Sequence, residues 1–264
     1  MIESVFMYLI FFITAAISSM IGIGGGVLYV PILLAFGFPF YQAAAISLFI
    51  IMALSLSATL VYYRVKLVDW KLALAIEPLI AITALIGGYY SSFIQINGLK
   101  VLFVLVLIVS GYFMIKPIKE IQDKFINERK WGYWLRKFGE EEYSVNLLLG
   151  LPIATLSGLT AGLLGTGGGA TKVPLMVLLC GIPMKIAIGT SCFMVGITAL
   201  SGFWGHYFAG HFELKMALIL SLVVFAGAQA GSRISIKVDK ILLKKIYAVF
   251  LFLISAWMMM SMVK

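Results

Sequence analysis

Charge is scarce in this sequence: 12% of the 264 residues are charged, whereas 62% are hydrophobic. A soluble domain needs far more polar surface, so the composition is typical of a protein embedded in a lipid bilayer. Cysteine and histidine are also rare, with two of each. This small supply excludes a disulfide framework and provides no cluster of His, Cys, Asp and Glu at metal-ligand spacing.

Catalytic motifs are missing as well. No nucleophile has a plausible base, no ATP-hydrolysing motif is present, and a glycine pattern at residues 165–170 lacks the preceding β-strand of a dinucleotide site. We therefore expect no enzymatic activity, no catalytic residues, no bound metal and no cofactor. The net charge of +9 does not indicate a nucleic-acid partner, because the basic residues are dispersed among hydrophobic spans.

Apolar segments fill most of the chain. Those of roughly 20 residues, long enough to cross a bilayer, are residues 4–21, 43–63, 70–94, 99–116, 145–164, 187–209, 214–235 and 241–262, and two shorter ones are residues 27–38 and 170–181. These segments predict an all-α polytopic integral membrane protein. Its faces of small residues leave open whether it forms a homo-oligomer.

The chain contains an internal duplication. The segment GIGGGVLYVP (residues 22–31) returns in altered form as GTGGGATKVP (residues 165–174). The match continues beyond the prolines, for example between Ser47 and Ser191, which lie 144 residues apart. Each half then consists of five segments, one of them a half-length helix that follows a glycine break, the pattern found at transporter binding sites.

The basic residues indicate which connections face the cytoplasm. They form three clusters: Arg64, Lys66 and Lys71; Lys119, Lys124, Arg129, Lys130, Arg136 and Lys137; and Arg233, Lys237, Lys240, Lys244 and Lys245. By the positive-inside rule all three clusters are cytoplasmic, so equivalent loops of the two halves face opposite sides of a plasma membrane and both termini lie outside the cytoplasm. This pattern predicts an inverted repeat.

The duplication defines three regions. Residues 1–116 form the first transmembrane repeat and residues 144–264 the second, inverted one. Between them, residues 117–143 are the sizeable polar stretch, and their apolar side chains recur at near-helical spacing. This spacing favours an amphipathic cytoplasmic linker that lies on the membrane surface.

The short segments predict where a substrate binds. Twelve helical residues reach roughly 18 Å, which is close to the middle of a hydrocarbon core about 30 Å thick. Both glycine triplets should therefore meet near the bilayer midplane, each at the N-terminus of a half helix. Such ends carry unpaired N–H groups and the positive pole of the helix dipole, so they favour an anion.

Around the triplets, the sequence offers a set of candidate substrate-binding residues. They are Gly24, Gly25, Gly26, Ser47, Thr166, Gly167, Gly168, Gly169, Thr171, Lys172, Thr190 and Ser191. Two alternatives stay open: the glycines could serve tight helix packing or a mere kink, and the hydroxyls could bond neighbouring carbonyl groups.

Two charged residues lie well inside apolar segments. Lys172, three residues beyond its triplet, could add a positive charge to an anion site or extend along a packed face. Glu77 could carry a coupling proton or make a structural hydrogen bond, and its repeat counterpart is the uncharged Ser221. We expect no acidic residue beside either triplet.

These motifs resemble those of a known family. GIGGGVLYVP, GFPFYQAAAISL and YYRVKLVDWKLAL in the first half, with GTGGGATKVP, GIPMKIAIGTS and GHYFAGHFELKMAL in the second, look like the TauE/SafE sulfite exporter family of membrane transporters. The resemblance implies transport of small anions such as sulfite and sulfonates. A membrane-embedded enzyme and a scaffold without a substrate path are the alternatives.

Overall fold

The computed structural model describes residues 2–115, 132–179, 181–210 and 212–263. Its helices lie where the apolar segments predict them, which confirms the all-α polytopic fold. The first half contains α1 (Ile2–Ile21), α2 (Gly26–Ala35), α3 (Phe40–Arg64), α4 (Trp70–Tyr90) with a 3-10 turn (Ser91–Phe93), and α5 (Ile96–Ile115). The second half contains α6 (Leu147–Leu164), α7 (Gly169–Pro174) with a π-helical turn (Leu175–Leu179), α8 (Met184–Phe208), α9 (Leu214–Lys237) and α10 (Lys240–Val263).

Four helical segments among the described residues are long and apolar enough to cross a membrane by length and composition. They are α3, α4 with its 3-10 turn, α8 and α9. Shorter apolar stretches lie within α1, α2, α5, α6 and α10. The half-length helices α2 and α7 follow the glycine triplets, as predicted.

The two halves are interleaved. Helix α4 packs against α6 and α8, α9 packs against α1 and α3, and the central contact joins α3 to α8. All of these pairs join one half to the other, so the core lies between the repeats. The repeats therefore do not form separate cores.

Equivalent contacts recur with the halves exchanged. A Cβ atom added to Gly87 of α4 would lie 2.4 Å from the carbonyl oxygen of Leu159 in α6. One added to Gly231 of α9 would lie 1.9 Å from the carbonyl oxygen of Ala16 in α1. Gly87 corresponds to Gly231 and Ala16 to Leu159 in the repeat, so both helix pairs approach closely at matching places.

The π-helical turn accommodates a one-residue insertion. The repeat offset is 143 between Pro31 and Pro174 but 144 between Gly37 and Gly181. The extra residue lies between Pro174 and Gly181, the stretch that contains the π-helical turn Leu175–Leu179, and a single π turn is the usual way for a helix to absorb one. Both half helices thus reach matching loops despite their different lengths.

The linker differs from the expectation. Residues Tyr133–Phe138 (β1) and Glu141–Asn146 (β2) form an antiparallel hairpin, not an amphipathic helix-like segment. Trp134, Arg136 and Phe138 face inward while Leu135 and Lys137 are exposed, so the relevant period is two and not 3.6. Residues 117–131 of the predicted linker lie outside the described residues.

Candidate substrate site at the glycine triplets

Each triplet makes a sharp break before a half-length helix. Gly24 and Gly25 have φ angles of 83° and 79°, and Gly167 and Gly168 have angles of 71° and 78°. Glycine adopts this left-handed backbone without strain, whereas other residues rarely do. The hydrogen-bond ladders of α2 and α7 then begin at the carbonyl oxygens of Gly25 and Gly168, each of which accepts two N–H groups.

The triplets lie at mid-length of α3 and α8. Each of these helices has 25 residues, and the equivalent residues Ile51 and Val195 lie at their centres. A Cβ atom added to Gly24 would lie 2.3 Å from Val195 Cγ1, and one added to Gly26 would lie 2.6 Å from Ile51 Cδ1. The side chains of Ile51 and Val195 therefore cover the triplets.

The third glycine of each triplet brings the two backbones into contact. A Cβ atom on Gly26 would lie 2.5 Å from Thr166 Cα, and one on Gly169 would lie 2.1 Å from the carbonyl oxygen of Ile23. Ile23 and Thr166 are equivalent in the repeat, so this contact is also reciprocal. Tight packing, one of the alternatives left open by the sequence, is thus a property of Gly26 and Gly169.

Ser47 and Ser191 tie the glycine segments to the central helices. The Ser47 hydroxyl donates to the carbonyl oxygen of Gly165 at 2.8 Å, and the equivalent Ser191 hydroxyl donates to that of Gly22 at 2.9 Å. A hydroxyl has one hydrogen to donate. In this conformation neither serine has one left for an anion.

The three threonines occupy different environments. Thr171 lies at the start of α7, where its hydroxyl donates to the Gly168 carbonyl oxygen at 2.9 Å. Thr166 is buried beside Gly26. Thr190 is farther away, because its hydroxyl accepts a hydrogen bond from the N–H of Asp69 in the loop before α4. The structure therefore brings Thr166 and Thr171 to the triplets, but not Thr190.

Lys172 and Glu77 form a buried ion pair. The Lys172 Nζ atom lies 2.9 Å from Glu77 Oε2 and 3.1 Å from Oε1. The two side chains are 2% and 1% exposed. The Thr198 hydroxyl of α8 contacts both partners, a role that its sequence position did not suggest.

This pair corrects one expectation. The sequence places no acidic residue beside a triplet, but Glu77 reaches the first turn of α7 from α4. Its carboxylate neutralises the Lys172 ammonium, because a charge this far from water requires a partner. The positive charge expected at the anion site is therefore engaged in this conformation.

The repeat-equivalent positions form no such pair. Tyr29 takes the place of Lys172, and its ring packs on Gly25 and stacks on Phe11. Within the described part of the chain its buried hydroxyl has no hydrogen-bond partner. The Glu77 position is Ser221, whose hydroxyl donates to the Ala217 carbonyl oxygen at 2.7 Å. The two halves share the glycine break and the half-length helix, but the charged residues Lys172 and Glu77 have uncharged equivalents.

Two openings lie near the triplets in the part of the chain that the structure describes. A cavity next to Val27, Gly168 and Thr171 is too small for a sulfonate. A groove of about 670 Å³ runs between α3 and α8, with Met52, Ser55 and Gly196 in its wall. Ile51 and Val195 pack on the glycines and do not line this groove. We infer that their side chains close the candidate site in this conformation.

Comparison with known proteins identifies the family. The family model described as "Sulfite exporter TauE/SafE" matches residues 7–258. This chain belongs to the TauE/SafE family. A probable membrane transporter protein of Bacillus subtilis, YunE, is 30% identical over 92% of both chains. One of Methanocaldococcus jannaschii is 26% identical over 86% of this chain and 85% of the relative. No solved structure matches the chain.

Membership confirms the resemblance carried by the glycine motifs, and the protein is a membrane transporter of the TauE/SafE family. The matched residues extend across both triplets and the Lys172–Glu77 pair. Within the described residues, no group of His, Cys, Asp and Glu side chains is arranged to hold a metal ion.

A second polar cluster of this TauE/SafE transporter lies outside the spans. Asp69 caps α4 by accepting the Leu72 N–H at 3.1 Å. Arg136 of the hairpin donates to both of its carboxylate oxygens, at 2.5 and 2.7 Å from Nη2, and the Tyr143 hydroxyl donates to it as well. The hairpin is thereby fixed to the start of α4.

The cluster shifts the pKa of each member. Burial by itself raises the pKa of Asp69, but hydrogen bonds from Arg136, Tyr143 and Leu72, with the charge of Arg136, outweigh it, so the pKa lies below its usual value. The bond to Asp69 raises the pKa of Arg136. Burial and the same carboxylate raise the pKa of Tyr143. Asp69 therefore remains charged at physiological pH.

Proposed function

We propose that this protein transports small sulfur-containing or organic anions, such as sulfite or sulfonates, through a site at the two glycine triplets. The observation that carries the proposal is the meeting of two half-helix N-termini at mid-length of α3 and α8, with Lys172 in the first turn of α7. Both ends direct the positive ends of their helix dipoles to one place. Anions are the ligands that such ends favour.

The loop contacts support the proposed inverted orientation in the plasma membrane. Arg136 of the linker joins Asp69, and Lys185 Nζ donates to the Ile236 carbonyl oxygen at 2.8 Å. The first contact joins the first and second basic clusters, and the second joins Lys185 to the third cluster, all of which are predicted to be cytoplasmic. On the proposed outer side, the hydroxyl of Tyr41, the repeat equivalent of Lys185, donates to the Ile94 carbonyl oxygen.

Binding and flux test the proposal directly. Purified protein should be stabilised against heat by sulfite or methanesulfonate, because a ligand that binds only the folded state raises its stability. Liposomes that contain the protein should pass these anions and not rubidium ions. Lys172→Met should weaken anion binding by about 10- to 100-fold, the scale of a hydrogen bond to a charged group.

The matched control is Lys71→Met, which removes an exposed lysine at the start of α4 and should leave binding unchanged. Rubidium flux without anion flux would contradict the proposal. Absence of both stabilisation and flux would favour the scaffold alternative, and chemical conversion of the anion would favour an enzyme.

A further inference from the structure

Glu77 already makes the contacts that a substrate anion would need. Both of its carboxylate oxygens lie within hydrogen-bond distance of Lys172 Nζ, and the Thr198 hydroxyl contacts Oε1. An oxyanion such as a sulfonate presents the same acceptors to the same donors. The Glu77 carboxylate therefore occupies the position beside Lys172 that a substrate anion would take.

We propose that Glu77 and the substrate compete for Lys172, so that each anion enters together with one proton. This inference rests on the proposed function and names its coupling mechanism. While Glu77 is ionised, it neutralises Lys172 and the anion has no free counter-charge. Protonation of Glu77 releases the ammonium, and a buried ammonium without a partner then favours the anion.

The exchange balances in charge and in protons. A proton from the aqueous side binds a Glu77 oxygen and makes a neutral carboxylic acid. The Lys172–Glu77 bond is replaced by a bond between Lys172 and the anion, and Lys172 keeps its own proton throughout. The net charge of the buried site is zero before and after, provided that the anion is monovalent.

Other ionisable groups around α4 do not compete for this role. Helix α6, which packs against α4, has no ionisable side chain. On α8, Lys185 is bonded to the Ile236 carbonyl oxygen and the His206 Nε2 atom lies 2.9 Å from the Gly162 carbonyl oxygen. Among the described residues Lys172 is the only ionisable group within hydrogen-bond distance of Glu77.

The mechanism favours a particular substrate class. A monovalent anion with at least two terminal oxygens on one atom replaces the carboxylate without changing the buried charge. Sulfonates and carboxylates meet this requirement, and sulfite meets it as hydrogen sulfite. A divalent anion would leave one negative charge uncompensated in a buried site.

Methanesulfonate is the suitable probe, because unlike sulfite it keeps one charge across the physiological pH range. Any pH dependence then belongs to the protein. Between the pH at which Glu77 of the unbound protein loses its proton and the higher pH at which Glu77 of the complex loses it, the affinity of the wild-type protein should fall about tenfold for each unit of pH increase, the slope for one linked proton. Calorimetry in buffers of different ionisation enthalpy should record the uptake of one proton per anion.

The Glu77→Gln variant tests whether Glu77 couples proton uptake to anion binding or has only a structural role. The variant keeps the size of the side chain and mimics the protonated state, so it should bind methanesulfonate at high pH as tightly as the wild type does at low pH. Its binding should show no pH slope, and its flux in liposomes should carry no protons. Glu213→Gln, which changes an exposed carboxylate at the start of α9, should behave as the wild type.

The possible outcomes distinguish this inference from the proposed function. Wild-type binding without a pH slope or proton uptake would overturn the coupling and leave anion transport in place. No wild-type binding at any pH would contradict the proposed function itself. Loss of binding in a folded Glu77→Gln variant would mean that the pair is structural. The wild-type proton count needs no variant, so poor folding of Glu77→Gln cannot leave the coupling undecided.

Discussion

At Gly26 and Gly169 the missing side chain is what allows the two halves to touch. Both residues have ordinary negative φ angles, so the demand for glycine there is steric and not conformational. At Gly25 and Gly168 the demand is conformational, because both have φ near 80°. One triplet thus combines two physical requirements that look identical in the sequence.

Gly169→Ala should destabilise the protein strongly. Its Cβ atom would lie 2.1 Å from the Ile23 carbonyl oxygen, and displacing backbone costs about 1 to 3 kcal/mol or more. The control is Gly37→Ala, where φ is 86° and no atom lies within 4 Å, so only the backbone strain of about 1 kcal/mol applies. Thermal melting in detergent should rank Gly169→Ala below Gly37→Ala, and the reverse order would remove the packing argument.

Lys172 and Glu77 could both be singled out from the sequence, but their pairing could not. Charges inside apolar segments are rare, which draws attention to each one. The two residues lie 95 positions apart, and their repeat counterparts Tyr29 and Ser221 carry no charge. The duplication therefore gave no hint of the contact, and Thr198 was missed because hydroxyls are common in membrane helices.

Among the elements, the helices followed their apolar runs closely and the hairpin did not. A stretch of ten apolar residues or more has few alternatives to a helix in lipid, since its backbone must satisfy its own hydrogen bonds. The polar linker is free of that requirement. Over so short a distance its aromatic residues fit the helical period of 3.6 residues as well as the strand period of two. The contacts of Arg136 and Tyr143 with Asp69 favour the strands.

At neutral pH and below, the docking of the hairpin should weaken only in acid. Because the pKa of Asp69 is lower in the folded protein, its contribution to stability is complete above the unfolded value of about 3.9 and is lost as the pH falls through the folded value. Arg136→Met should weaken docking by about 1.5 to 3 kcal/mol. The fluorescence of Trp134 would report both effects, and a transition near neutral pH would contradict this assignment.

Ile51 and Val195 should act as a barrier between the groove and the triplets. Replacing both with alanine removes the side chains that cover Gly24 and Gly26, at a cost of about 2 kcal/mol or more in stability for each. Methanesulfonate efflux from liposomes should rise several-fold in the double variant. Leu56→Ala, which changes an exposed residue of the groove wall, should leave the rate unchanged, and an equal rise there would show that the barrier lies elsewhere.

Over the whole molecule, the repeat in sequence becomes a repeat of contacts between halves. The spacing of the glycines and the positions of the spans were predictable, because each half contains its own copy of the glycine motif and of the apolar segments. The interleaving was not, since hydropathy indicates which residues meet lipid but not which helices meet each other. Reciprocal contacts such as Ser47 to Gly165 and Ser191 to Gly22 appear only in three dimensions.

The orientation of the halves remains a prediction that labelling would test. Lys66 and Gly210 follow equivalent helices, both have positive φ, and both are exposed. In a background without the natural cysteines, Gly210→Cys should react with a membrane-impermeant maleimide on intact cells. Lys66→Cys should react only after the membrane is opened. Reaction of both positions from the same side would exclude an inverted repeat.

The unequal charges of the two halves have a consequence for kinetics. A carrier that worked by exchanging the roles of two identical halves would present the same Michaelis constant to each side of the membrane. Here Lys172 of the second half pairs with Glu77 of the first, whereas the equivalent positions hold Tyr29 and Ser221, so the inward-facing and outward-facing states are not interchangeable. Thermodynamics fixes only the product of the rates around the cycle, so a higher affinity at one face must be offset by slower steps elsewhere. Import and export should therefore saturate at different concentrations, even when the gradients that drive them are equal.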